Sequence, residues 1–493
     1  MLFTIISFLL FLPSLTSSSE AQTWIKEGYW NSGGQSQVRH IDSTLFTHLT
    51  FAFAYINNST YELWIAPNDE PNMATFTDIV RLKNPSITTL LSIWAGDSNF
   101  STFFSMATQP SHRTSFIESS IQRARFYGFH GLDLCCVKPD TNTTKMEIMG
   151  ILFDDWRTAI DRESKNSNRS PLLLTLAGHY LPSKNTASYP MESIRRNFDW
   201  VLIVSYFYHL PTMENFTGAH SALYDPSSNI STDYGIKEWI SRGLPAKKIV
   251  FGLAYHGYAW TLLDASANEI GSPATGPAVM PEGLIPYKII KSYMGCDGEK
   301  LGYNSTYVTN YCINGSVWIG YDDVEAIKTK VSYARAKGLL GYNVWQVTND
   351  DNWVLSKADV YSFGVLLLQI ISGKRNNCSH GLHEDLNLLD YAYDLWKCGK
   401  GMVFMDPSLD DTNSSCKLVR CMQIALLCVQ ENPADRPSML VFSSMLKNET
   451  APMNIPKRPA FSTRRDEDEV QEPTSQQEIW SVGDVSITQM VAR

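Results

Sequence analysis

The chain has 493 residues, of which 44% are hydrophobic and 12% are aromatic, and its formal net charge at pH 7 is -9. This length and composition suit a globular protein with one large domain and one smaller domain, or more. The acidic balance argues against a nucleic-acid partner, because contacts to phosphate groups need clustered lysine and arginine side chains.

The first residues are typical of a secretory signal peptide. An apolar run over residues 2–15 precedes the small residues at 16–19 and Ala21, although the basic residues that usually open a signal are missing. An anchoring helix or a buried strand is the alternative, but the run is too short to cross a membrane comfortably. We therefore predict that residues 1–21 are removed and that the mature protein is secreted.

Glycosylation sequons favour the same interpretation. They are dense in loop-like stretches before the last third of the chain, although each tripeptide is weak evidence alone. They occur at Asn57, Asn58, Asn99, Asn142, Asn168, Asn215, Asn229, Asn304 and Asn314. No later segment has about 18 consecutive apolar residues, so the sequence predicts no transmembrane helix.

Apolar runs alternate with helical segments from about residue 23 to residue 355. Such alternation over this length predicts a (β/α)8 barrel, whose active site lies at the C-terminal ends of the strands. Tyr206, Trp345 and the stretch around Asp133 fall at such ends. The predicted strands cover residues 47–54, 88–93, 172–177, 200–206, 248–253 and 339–345.

Residues 128–139 read GFHGLDLCCVKP and carry the most specific information in the chain. Alternate side chains of a strand share a face, so Asp133, Cys135 and Val137 are expected to point the same way, about 6.6 Å apart per step. Three carboxylates at that spacing would tune each other's pKa values and let the last one protonate a leaving group. Here only Asp133 is a carboxylate.

This stretch resembles the active-site signature DGxDxDxE of glycoside hydrolase family 18, the chitinases. On that pattern Asp133 matches the second aspartate, Cys135 replaces the third, and Val137 replaces the acid glutamate. His130 and Cys136 replace the first aspartate and the usual tryptophan. The family uses the N-acetyl oxygen of its own substrate as nucleophile, but it still needs the glutamate as acid. Valine has no proton to give, so no catalytic residue is assigned with this motif.

Further matches extend the resemblance to almost the whole barrel region. Tyr206 matches the tyrosine that steadies the N-acetyl group, Trp345 matches the floor of the central sugar site, and Tyr29 is a third candidate for sugar binding. Phe207 replaces an aspartate, and Trp94 replaces a glycine. Segments 252–260 and 318–323 bracket what resembles the family's small α+β insertion, about residues 255–322. The resemblance implies chitin or chitooligosaccharide as ligand, and we expect no cofactor and no metal.

The cysteines give weaker expectations. Cys135 and Cys136 should face opposite sides of an extended strand, and a disulfide between neighbours would be strained, so two buried thiols are predicted. Cys296 and Cys312 are close enough in sequence to form a disulfide in an oxidising compartment.

Residues 356–375 and 432–439 resemble the C-lobe of plant receptor-like protein kinases. The glycine-rich loop, strand lysine, catalytic loop and metal-binding aspartate of kinases have no counterpart, so neither ATP binding nor kinase activity is expected. Asp359 and Arg436 should have lost their partners, which predicts a marginally folded fragment over residues 356–447 or one that exposes apolar surface. Residues 448–493 are predicted to be disordered.

Three functions follow, and we favour the first. It is a secreted chitinase-like protein without activity that binds N-acetylglucosamine polymers or nothing. The second is a weakly active chitinase that uses a surrogate acid, such as Asp133 or a rearranged carboxylate. The third is a receptor-kinase remnant that acts through protein partners, with the barrel as scaffold; the chain then resembles a chitinase-type receptor kinase that lacks its middle.

Overall fold

The computed structural model describes residues 24–33, 37–96, 100–185, 187–293, 300–374, 387–409, 415–432, 435–448 and 453–459. The predicted signal peptide and most of the predicted tail lie outside these ranges. The described residues form two compact units, one within Gln22–Ala358 and one within Asp359–Arg493. In the part of the chain that is described, no helix is both long and apolar enough to cross a membrane.

The first unit is a closed barrel of eight parallel strands, which confirms the predicted (β/α)8 fold. The first strand pairs with both the second and the last, so the sheet has no free edge within the barrel. Most of its strand residues are buried, as expected where helices cover the outside and side chains fill the inside. The strands are β1 (Ile25–Asn31), β2 (His48–Ile56), β3 (Thr88–Trp94), β4 (Gly131–Cys135), β5 (Leu173–His179), β6 (Trp200–Val204), β7 (Ile249–Ala254) and β8 (Gly341–Trp345).

Amphipathic helices surround the barrel, and several begin at residues that favour a helix start. Proline occupies the first turn of the helices that begin at Glu70 and Pro110, where its missing N–H is not needed. Asn142 and Asp323 cap the two helices that follow them by accepting backbone N–H groups. The helices of this unit are α1 (Glu70–Lys83), α2 (Ser101–Thr108), α3 (Pro110–Phe126), α4 (Thr143–Ser167), α5 (Met191–Asn197), α6 (Thr232–Ser241), α7 (Tyr287–Tyr293) and α8 (Val324–Ala336).

A six-stranded antiparallel sheet lies between β7 and β8 in the chain, together with α7. Its strands are His256–Leu262, Ala274–Pro277, Leu284–Pro286, Lys300–Asn304, Thr309–Asn314 and Val317–Tyr321. Cys312 is buried on one of them, whereas Cys296 lies outside the described residues, so the disulfide predicted between them stays a prediction.

The second unit is helical and has its own hydrophobic core. Its helices are α9 (Ala358–Ser372), α10 (Leu388–Lys397), α11 (Gly401–Phe404), α12 (Ser415–Cys428) and α13 (Met439–Lys447). Arg436 is buried, and it donates to the carbonyl oxygens of Gln430 at 2.9 Å and Glu431 at 3.4 Å. Its guanidinium also lies 4.9 Å from the ring centroid of Tyr361. Arg436 therefore contacts backbone acceptors and an aromatic face, while the loss of its glutamate partner stays a prediction; the side chain of Asp359 lies outside the description.

Candidate functional site

Asp133 lies inside the barrel and is held by three hydroxyl groups. Tyr29 Oη and Ser92 Oγ donate to one carboxylate oxygen at 2.5 and 2.7 Å, and Thr175 Oγ1 donates to the other at 2.7 Å. These donors stand on β1, β3 and β5, so three strands fix one side chain that is only 1% exposed. The carboxylate is oriented and screened from water, which suits a structural or positioning role.

Glu27 is a second buried carboxylate in the barrel interior, and the sequence analysis missed it. It is 1% exposed, and it accepts hydrogen bonds from Thr50 Oγ1 at 2.6 Å and from Trp200 Nε1 at 3.4 Å. The signal was present in the strand pattern: Glu27 and Tyr29 are two residues apart on β1, so they share a face. Because Tyr29 points into the barrel interior, Glu27 is expected to point there as well.

Burial and charge perturb both carboxylates. Burial and the nearby charge of Asp133 together raise the pKa of Glu27 to about 7, against the lowering effect of its hydrogen-bond donors. Burial also raises the pKa of Asp133, although Tyr29 and the other two hydroxyl donors oppose the shift. When two carboxyl groups interact inside the same barrel, the state in which they share one proton is favoured over the state in which both are ionised.

The segment after Asp133 departs from the predicted strand. Cys135 and Cys136 are joined by a disulfide, so the expectation of two thiols was wrong. β4 ends at Cys135, and Cys136 has a left-handed backbone with φ of 74°. The chain therefore leaves the extended conformation there, and the two-residue alternation that begins at Asp133 stops at Cys135.

Val137 is fully buried in the hydrophobic core of the barrel unit. That core also contains Leu132 and Leu134, which alternate with Asp133 along β4 and point to its opposite face. The carbonyl oxygen of Val137 accepts a hydrogen bond from the Tyr189 hydroxyl. The position that matches the acid glutamate is thus an apolar side chain packed among apolar side chains. The expectation that Val137 shares the face of Asp133 is wrong, because the extended conformation ends before Cys136.

Aromatic side chains line the end of the barrel where β1, β2, β3 and β8 finish. Tyr29 lies 5.4 Å from Trp345, Trp345 stacks on Phe53 at 5.8 Å, and Phe53 meets the edge of Trp94 at 5.2 Å, all between ring centroids. Tyr29 is 2% exposed and Trp345 is 8% exposed, whereas Trp94 is half-buried. The predicted platforms Tyr29 and Trp345 are therefore neighbours, and Trp94 offers the more open face.

Tyr206 lies at the end of β6, close to the carboxylates and to a pair of histidines. Its ring meets that of His256 edge-on at 5.6 Å between centroids. Burial and then the charge of Asp133 raise the pKa of its hydroxyl. Phe207 has a left-handed backbone with φ of 68°, and its ring lies 5.4 Å from that of His256. Burial lowers the pKa of His256 to about 4, so this imidazole is neutral at physiological pH.

Polar groups and aromatic rings meet in this part of the barrel, without a carboxyl group at position 137. Asp133, Tyr29 and Tyr206 provide polar groups, and Trp94 and Trp345 provide aromatic surface, but residues 133–137 place no further carboxyl group beside Asp133. Asp140, the next carboxylate along the chain, is engaged by Lys145 at 2.8 Å. Within the described ranges, no group of three or more histidine, cysteine, aspartate or glutamate side chains is placed to hold a metal ion.

Comparison with known families gives a consistent result for the first unit. A sequence model described as glycosyl hydrolases family 18 matches residues 26–350. The chain is 43% identical over 341 residues to the class V chitinase of Arabidopsis thaliana, and the match covers 69% of this chain and 90% of that protein.

Solved structures resemble the same unit. The class V chitinase from Nicotiana tobaccum is 40% identical with a TM-score of 0.65, covering 68% of this chain and 97% of that one. A mutant of that chitinase was solved in complex with NAG4. The chitinase-like agglutinin RobpsCRA from Robinia pseudoacacia is 38% identical with a TM-score of 0.63, covering 68% of this chain and 98% of that one.

Proposed function

Because this chain belongs to glycosyl hydrolases family 18, as the resemblance of residues 130–137 predicted, we propose that it binds N-acetylglucosamine oligomers of the chitin type without hydrolysing them. The observation that carries this proposal is Val137, a fully buried hydrocarbon at the position of the family's proton donor. General acid catalysis contributes roughly 10²- to 10⁴-fold to such reactions, so its loss leaves little rate.

Retention of a ligand site is supported by what surrounds Asp133. Its three hydroxyl donors are in place, and one of them, Tyr29, also contacts the ring of Trp345. One relative supports this ligand class, because a mutant class V chitinase was solved in complex with NAG4. Another similar protein is described as a chitinase-like agglutinin. Trp94 adds a half-exposed ring next to Phe53, which provides a surface on which a sugar face can stack.

A hydrolysis assay separates the proposal from the weakly active alternative. With a fluorogenic chitotriose substrate, the full-length protein is expected to give the same rate as Asp133→Asn, at the level of the uncatalysed control. Turnover in the wild type that disappears in Asp133→Asn would contradict the proposal that the protein does not hydrolyse its ligand. Glu27→Gln belongs in the same series, because a carboxyl group with a pKa of about 7 is the described acid best poised to donate a proton at neutral pH.

Calorimetry tests the binding itself. Chitotetraose is expected to release heat with the wild type and markedly less with Trp94→Ala and Trp345→Ala, since stacking on an aromatic ring is lost. Phe126→Ala is the matched control, because this exposed aromatic lies at the end of α3, outside the site. No heat with any chitooligosaccharide would favour the third function, a scaffold that acts through protein partners.

Export is part of the same proposal. It is supported by the predicted signal over residues 1–21 and by sequons whose asparagines are exposed, such as Asn58, Asn168 and Asn215. The Cys135–Cys136 disulfide also suits an oxidising compartment. Sequencing the N-terminus of the protein recovered from the medium, with and without endoglycosidase treatment, tests both secretion and glycosylation.

For the second unit we propose descent from a kinase C-lobe without kinase activity. The ordered matches at residues 356–375 and 432–439 support this origin, and the helical architecture is compatible with it. Sequencing the transcript across codons 355 and 356 tests it, since a longer form that contains a membrane span and a complete kinase would identify the segment as a remnant.

A further inference from the structure

A second pair of aromatic side chains lies beyond the candidate site, where β2 ends. The two-residue strand Leu63–Trp64 pairs antiparallel with the last residues of β2. Tyr55 stands opposite Trp64 in this pairing, and the two rings are tilted against each other at 5.7 Å between centroids. We call Tyr55 and Trp64 the outer aromatic pair.

A bulge in β2 decides which way these side chains point. Before the bulge, Thr50 points into the barrel interior, where its hydroxyl donates to Glu27 at 2.6 Å. The register with β3 then shifts between Ala52 and Ala54, which leaves Phe53 as an extra residue on β2. An extra residue exchanges the two faces of a strand, so beyond this point the odd-numbered residues point toward the candidate site.

Contacts on both faces of β2 agree with this alternation. Phe53 stacks on Trp345 of the candidate site at 5.8 Å between centroids. Tyr55 is two residues further on, so it lies on the same face, about 6.6 Å along the strand. The opposite face packs against the hydrophobic core of the barrel unit through Ala54, Ile56 and Leu63. The outer aromatic pair therefore continues the aromatic surface of the candidate site.

Exposure to solvent rises along this row of rings. Trp345 is 8% exposed, Tyr55 is half-buried and Trp64 is 44% exposed. The half-buried Trp94 ends β3, the neighbour of β2, and its ring lies 5.2 Å from that of Phe53. The row thus leads from the buried rings near Asp133 to an indole with an open face.

The outer aromatic pair has the chemistry that a pyranose ring requires. The apolar face of a sugar can stack on the indole of Trp64, while its polar groups need a hydrogen-bond partner. Burial and the charge of Asp69 raise the pKa of the Tyr55 hydroxyl, so this group keeps its proton at physiological pH. Tyr55 therefore provides a donor beside the stacking surface.

We propose that the outer aromatic pair binds a further N-acetylglucosamine unit of an oligomer whose other units occupy the candidate site. The inference rests on the proposed chitin-type binding and names the length class of its ligand. A trisaccharide held at Trp345 and Trp94 gains nothing from Trp64, whereas a longer oligomer that follows the row of rings gains one more stacking contact.

Calorimetry with chitotriose and chitohexaose tests this length class. The full-length wild type is expected to bind chitohexaose about three- to tenfold more tightly than chitotriose, which is the gain that one additional aromatic contact supplies. Trp64→Ala is expected to lower the affinity for chitohexaose by the same factor and to leave the affinity for chitotriose unchanged. This comparison excludes the statistical advantage of a longer ligand, because that advantage is the same in both proteins.

Two further variants separate stacking from other effects of the substitution. Trp64→Phe keeps an aromatic face, so it is expected to retain most of the preference for chitohexaose. In the wild type, chitohexaose should change the tryptophan emission more than chitotriose does, and this difference should be absent in Trp64→Phe. The matched control is Phe126→Ala, which removes a 76% exposed ring at the end of α3, at the opposite end of the barrel.

The outcomes distinguish this inference from the function on which it rests. Equal affinity for the two oligomers, or a preference for chitohexaose that Trp64→Ala leaves intact, overturns the role of the outer aromatic pair and leaves chitin-type binding standing. An equal loss of affinity for both oligomers in Trp64→Ala also overturns it, because Trp64 would then act on the central site or on folding. Absence of binding by both oligomers overturns the proposed function together with the inference.

Discussion

Two buried carboxylates inside one barrel give the site an electrostatic property that a single aspartate would not have. Burial and the charge of Asp133 raise the pKa of Glu27 to about 7, so the pair holds a proton over much of the physiological pH range. A carboxyl group whose folded-state pKa exceeds its unfolded value lowers stability as it ionises. Glu27 therefore makes the stability of the barrel depend on pH.

The substitution Glu27→Gln should reveal this dependence. Between about pH 4.5 and pH 7 the unfolded chain has released the Glu27 proton while the folded chain retains it, so the free energy of unfolding of the wild type falls as pH rises. Glutamine does not titrate, so the free energy of unfolding of the variant should rise by up to about 3 kcal/mol relative to wild type across that range. Urea denaturation at pH 5 and pH 8 measures the gain.

Glu118→Gln is the control for this experiment, because Glu118 is exposed on α3. A pH profile of Glu27→Gln parallel to that of wild type would mean that Glu27 keeps an ordinary pKa, and the proton shared with Asp133 would be excluded.

A glutamate at position 137 can act as a proton donor only if the backbone before it also returns to an extended conformation. Val137→Glu alone buries a carboxyl group in the hydrophobic core and should destabilise the barrel by about 3 kcal/mol or more, without turnover. Adding Cys135→Asp removes the disulfide, and Cys136→Trp disfavours the left-handed backbone, so residue 137 can share the face of Asp133. Phe207→Asp restores a polar neighbour.

The quadruple variant is expected to hydrolyse fluorogenic chitotriose at least about 100-fold faster than the same variant with glutamine at position 137. The comparison isolates the proton donor, because glutamate and glutamine have the same shape. Equal rates in two well-folded proteins would show that the site no longer admits the scissile bond in a reactive position.

At the scale of elements, the sequence predicted the barrel because its strands are buried runs of ordinary length separated by helices. It could also have placed Glu27, since alternation along β1 is regular. It could not place Val137, because the left-handed Cys136 depends on the tertiary setting of a single residue and leaves no periodic signal. The match to the family signature showed which residue types stand at positions 135 and 137. It did not predict the direction in which the side chain of Val137 points.

Helix α8 provides a test at this scale. Lys330 Nζ donates to the carbonyl oxygen of Ser221 at 2.6 Å and to the carboxylate of Asp322 at 2.5 Å, and both charged side chains are at most 1% exposed. Lys330→Met leaves the Asp322 charge buried without its cation, which should lower the free energy of unfolding by about 3–5 kcal/mol. Chemical denaturation measures the loss.

The double substitution Lys330→Met with Asp322→Asn distinguishes charge from packing. It removes both charges, so it should recover a large part of the stability that the single substitution loses. A double variant as unstable as Lys330→Met would assign the loss to the aliphatic stem of Lys330 and to its hydrogen bond with Ser221.

At the scale of the whole molecule, each unit buries its own apolar residues. The core of the barrel unit ends at Leu355, and the core of the helical unit begins at Val360. The last turn of the barrel unit is fastened by Asp350, which accepts from the backbone N–H groups of Leu355 at 3.0 Å and Ser356 at 2.9 Å. The end of the barrel unit therefore lies beyond Leu355, where the resemblance to kinases begins.

Truncation tests this boundary. A chain that ends after Ala358 keeps both donors of Asp350, so its barrel should unfold within roughly 0.5 kcal/mol of the barrel transition in the full chain, and its affinity for chitotetraose should not change. A chain that ends after Leu355 loses the Ser356 donors and should be less stable by about 1–3 kcal/mol, because a buried carboxylate loses hydrogen bonds. Calorimetric scans of the three chains measure both effects. Equal loss in the two truncated chains would show that the helical unit, rather than Asp350, stabilises the end of the barrel.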